Sequence, residues 1–202
     1  MAAAIVSLVP IGQKRLVARR PRDRERLIPA EVDRLIDAAR STRWGVRDST
    51  LLLMMFSHGL RVSEACELKW KQLDLENRVF HVERLKNGRG GDHRLRGCEI
   101  RALRKLQRRE PHESGDYVFR SERGAELKQR GVQQIIERVA KLAGLDDLNV
   151  HAHMLRHSTG YHLSDRGADL RVIQDFLGHR EVRHTTRYVA LSPRRFEGLW
   201  DD

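Results

Sequence analysis

Six of the ten histidines fall between His151 and His184, with arginines set among them. Two chemistries suit that pattern. In the first, His153 and His157, four apart on one helix face, hold a metal ion with His151 as a third ligand. Against it, Met154 stands where a zinc-protease helix has Glu, and Arg156 lies between the two histidines, where a fixed cation opposes a bound one. In the second, Arg156 is the principal residue. Three positions from His153, it offers a planar bidentate donor to a phosphate beside a proton-transfer group. A phosphate under attack calls for a second guanidinium, and Arg61 in Gly59-Leu60-Arg61-Val62-Ser63-Glu64-Ala65 supplies one just after a helix end. It also calls for an acid at the leaving oxygen, which Lys86 at a flexible hairpin can carry into a groove. The nucleophile is then Tyr188, nine residues after His179. Read singly, these residues are ordinary: Tyr188 a half-buried packing residue, Lys86 a solvated lysine, His179 a helix-cap histidine and Arg61 an ion-pair partner of Glu64. Their joint order favours phosphoryl transfer. His157 is read as a structural bond within the site and His184 as lining it, with His58, His81, His93, His112 and His162 as surface or core residues.

The elements that must position these groups are mostly helical. Val32, Leu35, Ile36 and Ala39 share one face of a helix opening at Pro29, and a second helix, about Arg47 to His58, carries the apolar run Leu51 to Phe56 and ends at Gly59. A third opens near Ser63 with Ala65, Cys66 and Leu68 inward. The period then changes to two: Phe80, Val82 and Arg84 alternate with Val79, His81, Glu83 and Leu85, and after Lys86-Asn87-Gly88-Arg89-Gly90-Gly91 a second extended piece runs His93 to Arg96. That is a β-hairpin with a basic, Gly-rich tip, where Arg89 is a stand-in for Lys86. A helix (about Glu99 to Arg109), a short strand (Tyr117 to Phe119) and a helix (about Lys128 to Leu142) follow. The last third is helical with breaks at Gly167 and Gly178. The fold class is mostly α (α+β), a helical bundle with a small antiparallel β-hairpin or sheet.

Lys and Arg number 39 against 28 Asp and Glu, a formal charge of +11 over 202 residues, which favours a polyanionic partner and nucleic acid above all. The longest apolar run, six residues, falls far short of the roughly 20 that span a bilayer. Two cysteines, Cys66 and Cys98, suggest neither a disulfide framework nor a metal cluster, so a reducing cytoplasm is expected, with no membrane association. Residues 1–26 read as a basic, flexible leader and 27–202 as one domain.

Arg61 in Gly-Leu-Arg-Val-Ser-Glu, Lys86 in the hairpin, His153-Met-Leu-Arg156-His157, Leu177-Gly178-His179 and Tyr188 together resemble, in order and spacing, the catalytic domain of the tyrosine recombinase (phage integrase) family. The stretch His151 to Tyr188 and the ending Arg195 to Trp200 are similar to the short fimbrial phase-switch invertases. The resemblance implies cleavage of double-stranded DNA through a 3′-phosphotyrosine at Tyr188, with Arg61 and Arg156 on the non-bridging oxygens and Lys86 protonating the 5′ oxygen. His153 assists proton transfer, and His179 donates to the phosphate. It implies neither cofactor nor metal. It also implies a homotetramer on paired sites, with the C-terminal segment (Leu191, Phe196, Leu199, Trp200) docked on a neighbour. Larger relatives carry an N-terminal clamp domain that is not evident before residue 27, so accessory DNA-bending proteins are a further expected partner. Rival outcomes are a DNA-binding transcriptional regulator that kept the fold, and strand cleavage of the type IB topoisomerase kind.

Overall fold

Pro29 stands at the first turn of helix α1 (Pro29–Arg40), where its missing N–H costs nothing, and the Glu31 carboxylate closes the turn by accepting the Ile28 N–H at 2.9 Å. The computed structural model describes residues 24–84, 90–109 and 112–189. The expected face of α1, Val32, Leu35, Ile36 and Ala39, is buried against α2 (Gly45–His58) and α5 (Gln129–Leu142). Helix α2 begins two residues before the expected Arg47. Gly45 is needed there, since a Cβ would lie 2.2 Å from the Arg40 carbonyl oxygen. Gly59 ends α2 in the left-handed region (φ 56°), as its position in the sequence suggests.

The short α3 (Val62–Cys66) leads to a three-stranded antiparallel sheet in the order β1-β2-β3, comprising Leu73–Asp74, Val79–Val82 and Gly91–Arg94. The hairpin is as expected, with Phe80 opposite His93. Two details are corrected. The second strand of the hairpin starts at Gly91 and stops at Arg94 because Gly97 already opens α4 (Gly97–Arg109). A third strand, β1, precedes the hairpin, too short to show a period of its own. The expected strand Tyr117–Phe119 is replaced by single bridges, Lys69 to Tyr117 and Arg120 to Glu126, although Val118 and Phe119 are buried. Leu68 is buried but lies beyond the end of α3. Lys86 and the hairpin tip, 85–89, lie outside the described residues.

Helix α6 (Ala152–Asp165) is buried around most of its circumference, packing against α1, α2, α5, α7 (Leu170–Leu177) and α8 (Arg183–Val189). The main core joins α1 to α5 and the sheet to the start of α6. A smaller cluster of Tyr161, Ile173, Leu177 and Tyr188 joins α6 to α7 and α8. The breaks expected at Gly167 and Gly178 are both left-handed turns (φ 83° and 62°). At the end of the basic leader, Arg24 pairs with Glu31, and Arg26 pairs with Asp165 at 3.5 Å while lying over the Tyr161 ring. Residues 1–23 and the C-terminal segment 190–202 are outside the described residues. Among the described residues no helix is long and apolar enough to cross a membrane.

Candidate active site

Helices α2 and α7 both end in a left-handed glycine, Gly59 and Gly178, and their final carbonyls face one another across two buried arginines. Arg84 donates to His58 O at 3.1 Å and Phe176 O at 2.7 Å. Arg156 donates to Gly59 O and, at 2.5 Å, to Leu177 O. Carbonyls left over at helix C-termini carry partial negative charge, so a guanidinium that bridges two of them satisfies both and locks the helix ends together. A Cβ on Gly59 would approach Leu177 to 2.4 Å, so this junction depends on the glycine's size as well as its φ.

Glu64 is the anion that holds the arginines in place. With 2% of its side chain exposed, it accepts from Arg61 N (2.9 Å), Arg61 Nη1 (2.6 Å) and Arg84 Nη1 (2.6 Å), and its carboxylate is 3.9 Å from Arg156. Burial would push its carboxyl up, but Arg84 and the hydrogen bonds from Arg61 outweigh this and hold it below the ordinary carboxylate range. The ion pair between Arg61 and Glu64 therefore does not compete with a role in the site; it aims Arg61 at the cleft. Burial lowers the Arg156 guanidinium to about 9, with Arg61 and Arg84 adding to the effect, and it stays charged at neutral pH.

The cleft itself, about 350 Å³, is lined by Arg61, His153, Arg156, His157, His179, Arg180, Glu181, His184, Arg187 and Tyr188. Five of the six candidates from the sequence converge here, drawn from the turn that caps α3, from α6 and α8, and from the turn after α7. The sixth, Lys86, is outside the described residues. A larger hollow of about 690 Å³ between α1, α2 and α4 contains none of them. His153 is exposed at the cleft, and burial and then Arg156 hold its imidazole below the ordinary value. His179 fixes its ring by a 2.9 Å bond from Nδ1 to the Thr185 hydroxyl. The Gln174 amide donates to His179 O at 3.1 Å and so holds the turn.

Tyr188 is 1% exposed. Its ring lies against Gly160, where a Cβ would come within 2.6 Å of it, and its hydroxyl is 2.8 Å from His157 Nδ1. Tyr161 meets the ring edge-on at 5.1 Å and His179 lies parallel to it at 6.2 Å. Burial pushes the phenol up to about 12 against the lowering influence of Arg156 and Arg187.

Among the described residues no group of three His, Cys, Asp or Glu is placed to hold a metal ion. His153 and His157 do lie together, their rings edge to face at 4.3 Å, but His157 is engaged with Tyr188 and both stand among guanidinium groups. Sequence reasoning passed over Glu64 as more than an ion-pair partner, and also Arg84 and Arg187. Arg84 had a signal: it occupies the inward register of the strand with Phe80 and Val82, and a buried charge needs a partner.

These geometries agree with the comparisons. The model of the phage integrase family matches residues 25–195. The chain belongs to the phage integrase family. Among its relatives, the type 1 fimbriae regulatory proteins FimB and FimE of Escherichia coli (strain K12) are 39% and 40% identical to it. The FimB match covers 87% of this chain and 88% of that protein; the FimE match covers 88% and 91%. A solved structure of XerH site-specific recombinase, bound to palindromic difH substrate, is 25% identical with a TM-score of 0.72. It matches 85% of this chain, which spans 51% of the XerH chain. This phage integrase family member is thus a tyrosine recombinase, mostly helical with one small antiparallel sheet, as its sequence leads one to expect.

Three buried or half-buried imidazoles of this recombinase, His93, His157 and His179, are pushed down by burial to about 3. A histidine whose folded value lies below the unfolded 6.5 leaves stability untouched above that pH. Below it, the unfolded chain takes up the proton first, so stability falls as pH drops from about 6.5 towards 3, by at most about 1.4 kcal/mol per pH unit for each well-buried site. Urea midpoints are therefore expected to hold level from about pH 7.5 to 8.5 and to drop steeply at about pH 5. Equal midpoints at about pH 5 and about pH 8 would contradict the burial of these rings in their neutral form.

Proposed function

We propose that this recombinase acts site-specifically on double-stranded DNA, with Tyr188 as nucleophile and Arg61, Lys86, His153, Arg156 and His179 as the rest of its catalytic set. The observation that carries the reading is the convergence of Arg61, Arg156, His179 and Tyr188 on one cleft that the guanidinium groups of Arg61, Arg156, Arg180 and Arg187 line. Tyr188 Oη attacks the phosphorus and the bond to the 5′ oxygen breaks, leaving a 3′-phosphotyrosine. Arg61 and Arg156 neutralise the non-bridging oxygens as charge builds there. Lys86 protonates the departing 5′ oxygen, and His153, neutral in its setting, takes the phenolic proton. Nδ1 of His179 is 2.9 Å from the Thr185 hydroxyl; with that hydroxyl as donor, the imidazole proton stands on Nε2, from which it hydrogen-bonds the phosphate. Attack by a 5′-hydroxyl of a partner duplex reverses the sequence and joins new strands.

Inversion of a DNA segment is the outcome we favour, because the chain matches FimB and FimE along nearly their whole length. Genomic fragments trapped covalently by the protein would identify its sites, and peptide mapping of the adduct would identify the attached residue. A plasmid bearing two such sites head to head is expected to invert the intervening segment. Relaxation of supercoils without any exchange would favour the topoisomerase-like reading, and binding without an adduct the regulator.

Strand cleavage is expected to survive excess EDTA, because guanidinium groups occupy the surroundings in which a cation would have to sit. Loss of cleavage in EDTA, restored by zinc or magnesium, would bring back the histidine-metal reading. Assembly follows the same proposal: a monomer or weak oligomer in solution becomes a tetramer on paired sites, with accessory DNA-bending proteins completing the complex and the segment after Tyr188 exchanged between subunits. Removal of residues 194–202 is expected to abolish recombination and leave DNA binding intact. Recombination at the wild-type rate by the truncated protein would refute tail exchange.

A further inference from the structure

Among the described residues the hydroxyl of Tyr188 has Nδ1 of His157 at hydrogen-bond distance, and which of the two groups donates is decided on the other side of the imidazole. Nε2 of His157 faces Nη1 of Arg187 at 3.5 Å. A guanidinium can only donate, and it repels an N–H pointed at it, so Nε2 presents its lone pair. The ring is neutral: it is 9% exposed, and His153 and Arg156 on its own helix and Arg187 on α8 all disfavour a second proton, with His151 adding to them. A neutral imidazole that accepts at Nε2 carries its proton on Nδ1. The carboxylate of Glu25 lies 4.0 Å from the same Nη1 of Arg187.

We infer that His157 is a further catalytic residue, donating an Nδ1–H hydrogen bond to the oxygen of Tyr188 and stabilising it as a phenolate. The inference rests on Tyr188 being the nucleophile. It excludes His157 as the base, because the phenolic proton cannot go to a nitrogen that already holds one; the mechanism proposed above gives that proton to His153. As the Oη–P bond forms and the P–O5′ bond breaks, the donor holds the phenol oxygen in place while negative charge passes through it. In resealing, the 5′-hydroxyl attacks, the P–Oη bond breaks and the departing phenolate keeps the same donor until it regains a proton. The bond matters because the ring is buried among Gly160, Tyr161 and His179, where water does not reach the phenolate to replace it.

The test has two independent arms. Nitrogen NMR of the full chain labelled in histidine, with the His157 signals assigned by their loss in His157→Asn, is expected to show a protonated Nδ1 and a bare Nε2 at neutral pH. A proton on Nε2 overturns the inference whatever the enzyme does. In the second arm, the probe is a nicked duplex made from a genomic fragment that the wild-type protein traps covalently. His157→Ala is expected to slow single-turnover cleavage about 100- to 1,000-fold with DNA affinity unchanged. Asn places an N–H near the position of Nδ1 without a basic nitrogen, so His157→Asn is expected to recover cleavage to within about tenfold of wild type with an unchanged pH profile. Asn as slow as Ala, or Ala within threefold of wild type, refutes the donor role. Adduct formation by Tyr188→Phe would instead remove the nucleophile reading, and the NMR arm separates that failure from this one.

Discussion

Tyr188→Phe protein is expected to bind DNA as tightly as the wild type and to form no covalent adduct. The substitution removes one oxygen and keeps the ring, which is what Gly160, Tyr161 and Ile173 pack around in the small cluster between α6 and α8. What the fold loses is the single bond to His157, a cost of about 1 kcal/mol. What the chemistry loses is the nucleophile, and two neighbouring hydroxyls are already engaged: Thr185 is fully buried and bonded to His179, and Ser158 is bonded to Leu27 N and Met154 O. The expected result is therefore total loss in a denaturing gel with nicked substrate, alongside a urea midpoint close to wild type. An adduct that persists in the Phe protein would assign the attack to another residue.

Tyr188 also marks how far the sequence leads. Arg61 and His179 were legible because each follows a helix end that glycine announces, Gly59 and Gly178, and Arg156 was legible from its place three residues after His153. The helices with one polar face, α1 and α5, were legible in the same way, from apolar residues three and four apart. Helix α6 shows almost no such period because it is buried on nearly every side, so its central place had to be inferred from the residues it carries. Strand β1 was hidden because two residues cannot display an alternation, and Tyr117–Phe119 misled because its buried side chains serve loops joined by single bridges. The buried His58–His93 pair, with Nδ1 atoms 3.1 Å apart, joins residues 35 positions distant, and nothing local encodes it. The same holds for the arginine bridges between α2 and α7: sequence shows a charged residue in an inward register, but only the fold shows which carbonyls it meets.

Those bridges set the second large effect: Arg156→Lys is expected to lose stability together with rate, and Arg61→Lys rate alone. Arg156 is 1% exposed and spans two carbonyls, Gly59 O and Leu177 O, that a single ammonium cannot both reach. Lysine there leaves at least one buried carbonyl unsatisfied, a loss of about 1–3 kcal/mol in stability, and withdraws a guanidinium from the phosphate. Loss of one such oxyanion contact lowers cleavage roughly 100- to 1,000-fold. Arg61 is different, for its side chain is one-third exposed and, among the described residues, bonded to Glu64 alone, so lysine can keep that ion pair. Arg61→Lys is therefore expected to lose about a hundredfold in single-turnover cleavage with a change in stability below about 1 kcal/mol. Urea unfolding and single-turnover cleavage measured on both proteins separate the two cases: Arg156→Lys moves both readings, Arg61→Lys only the rate. If Arg156→Lys cleaved within threefold of wild type while losing the expected stability, Arg156 would be a staple between helix ends and the phosphate would be held by Arg61 without it.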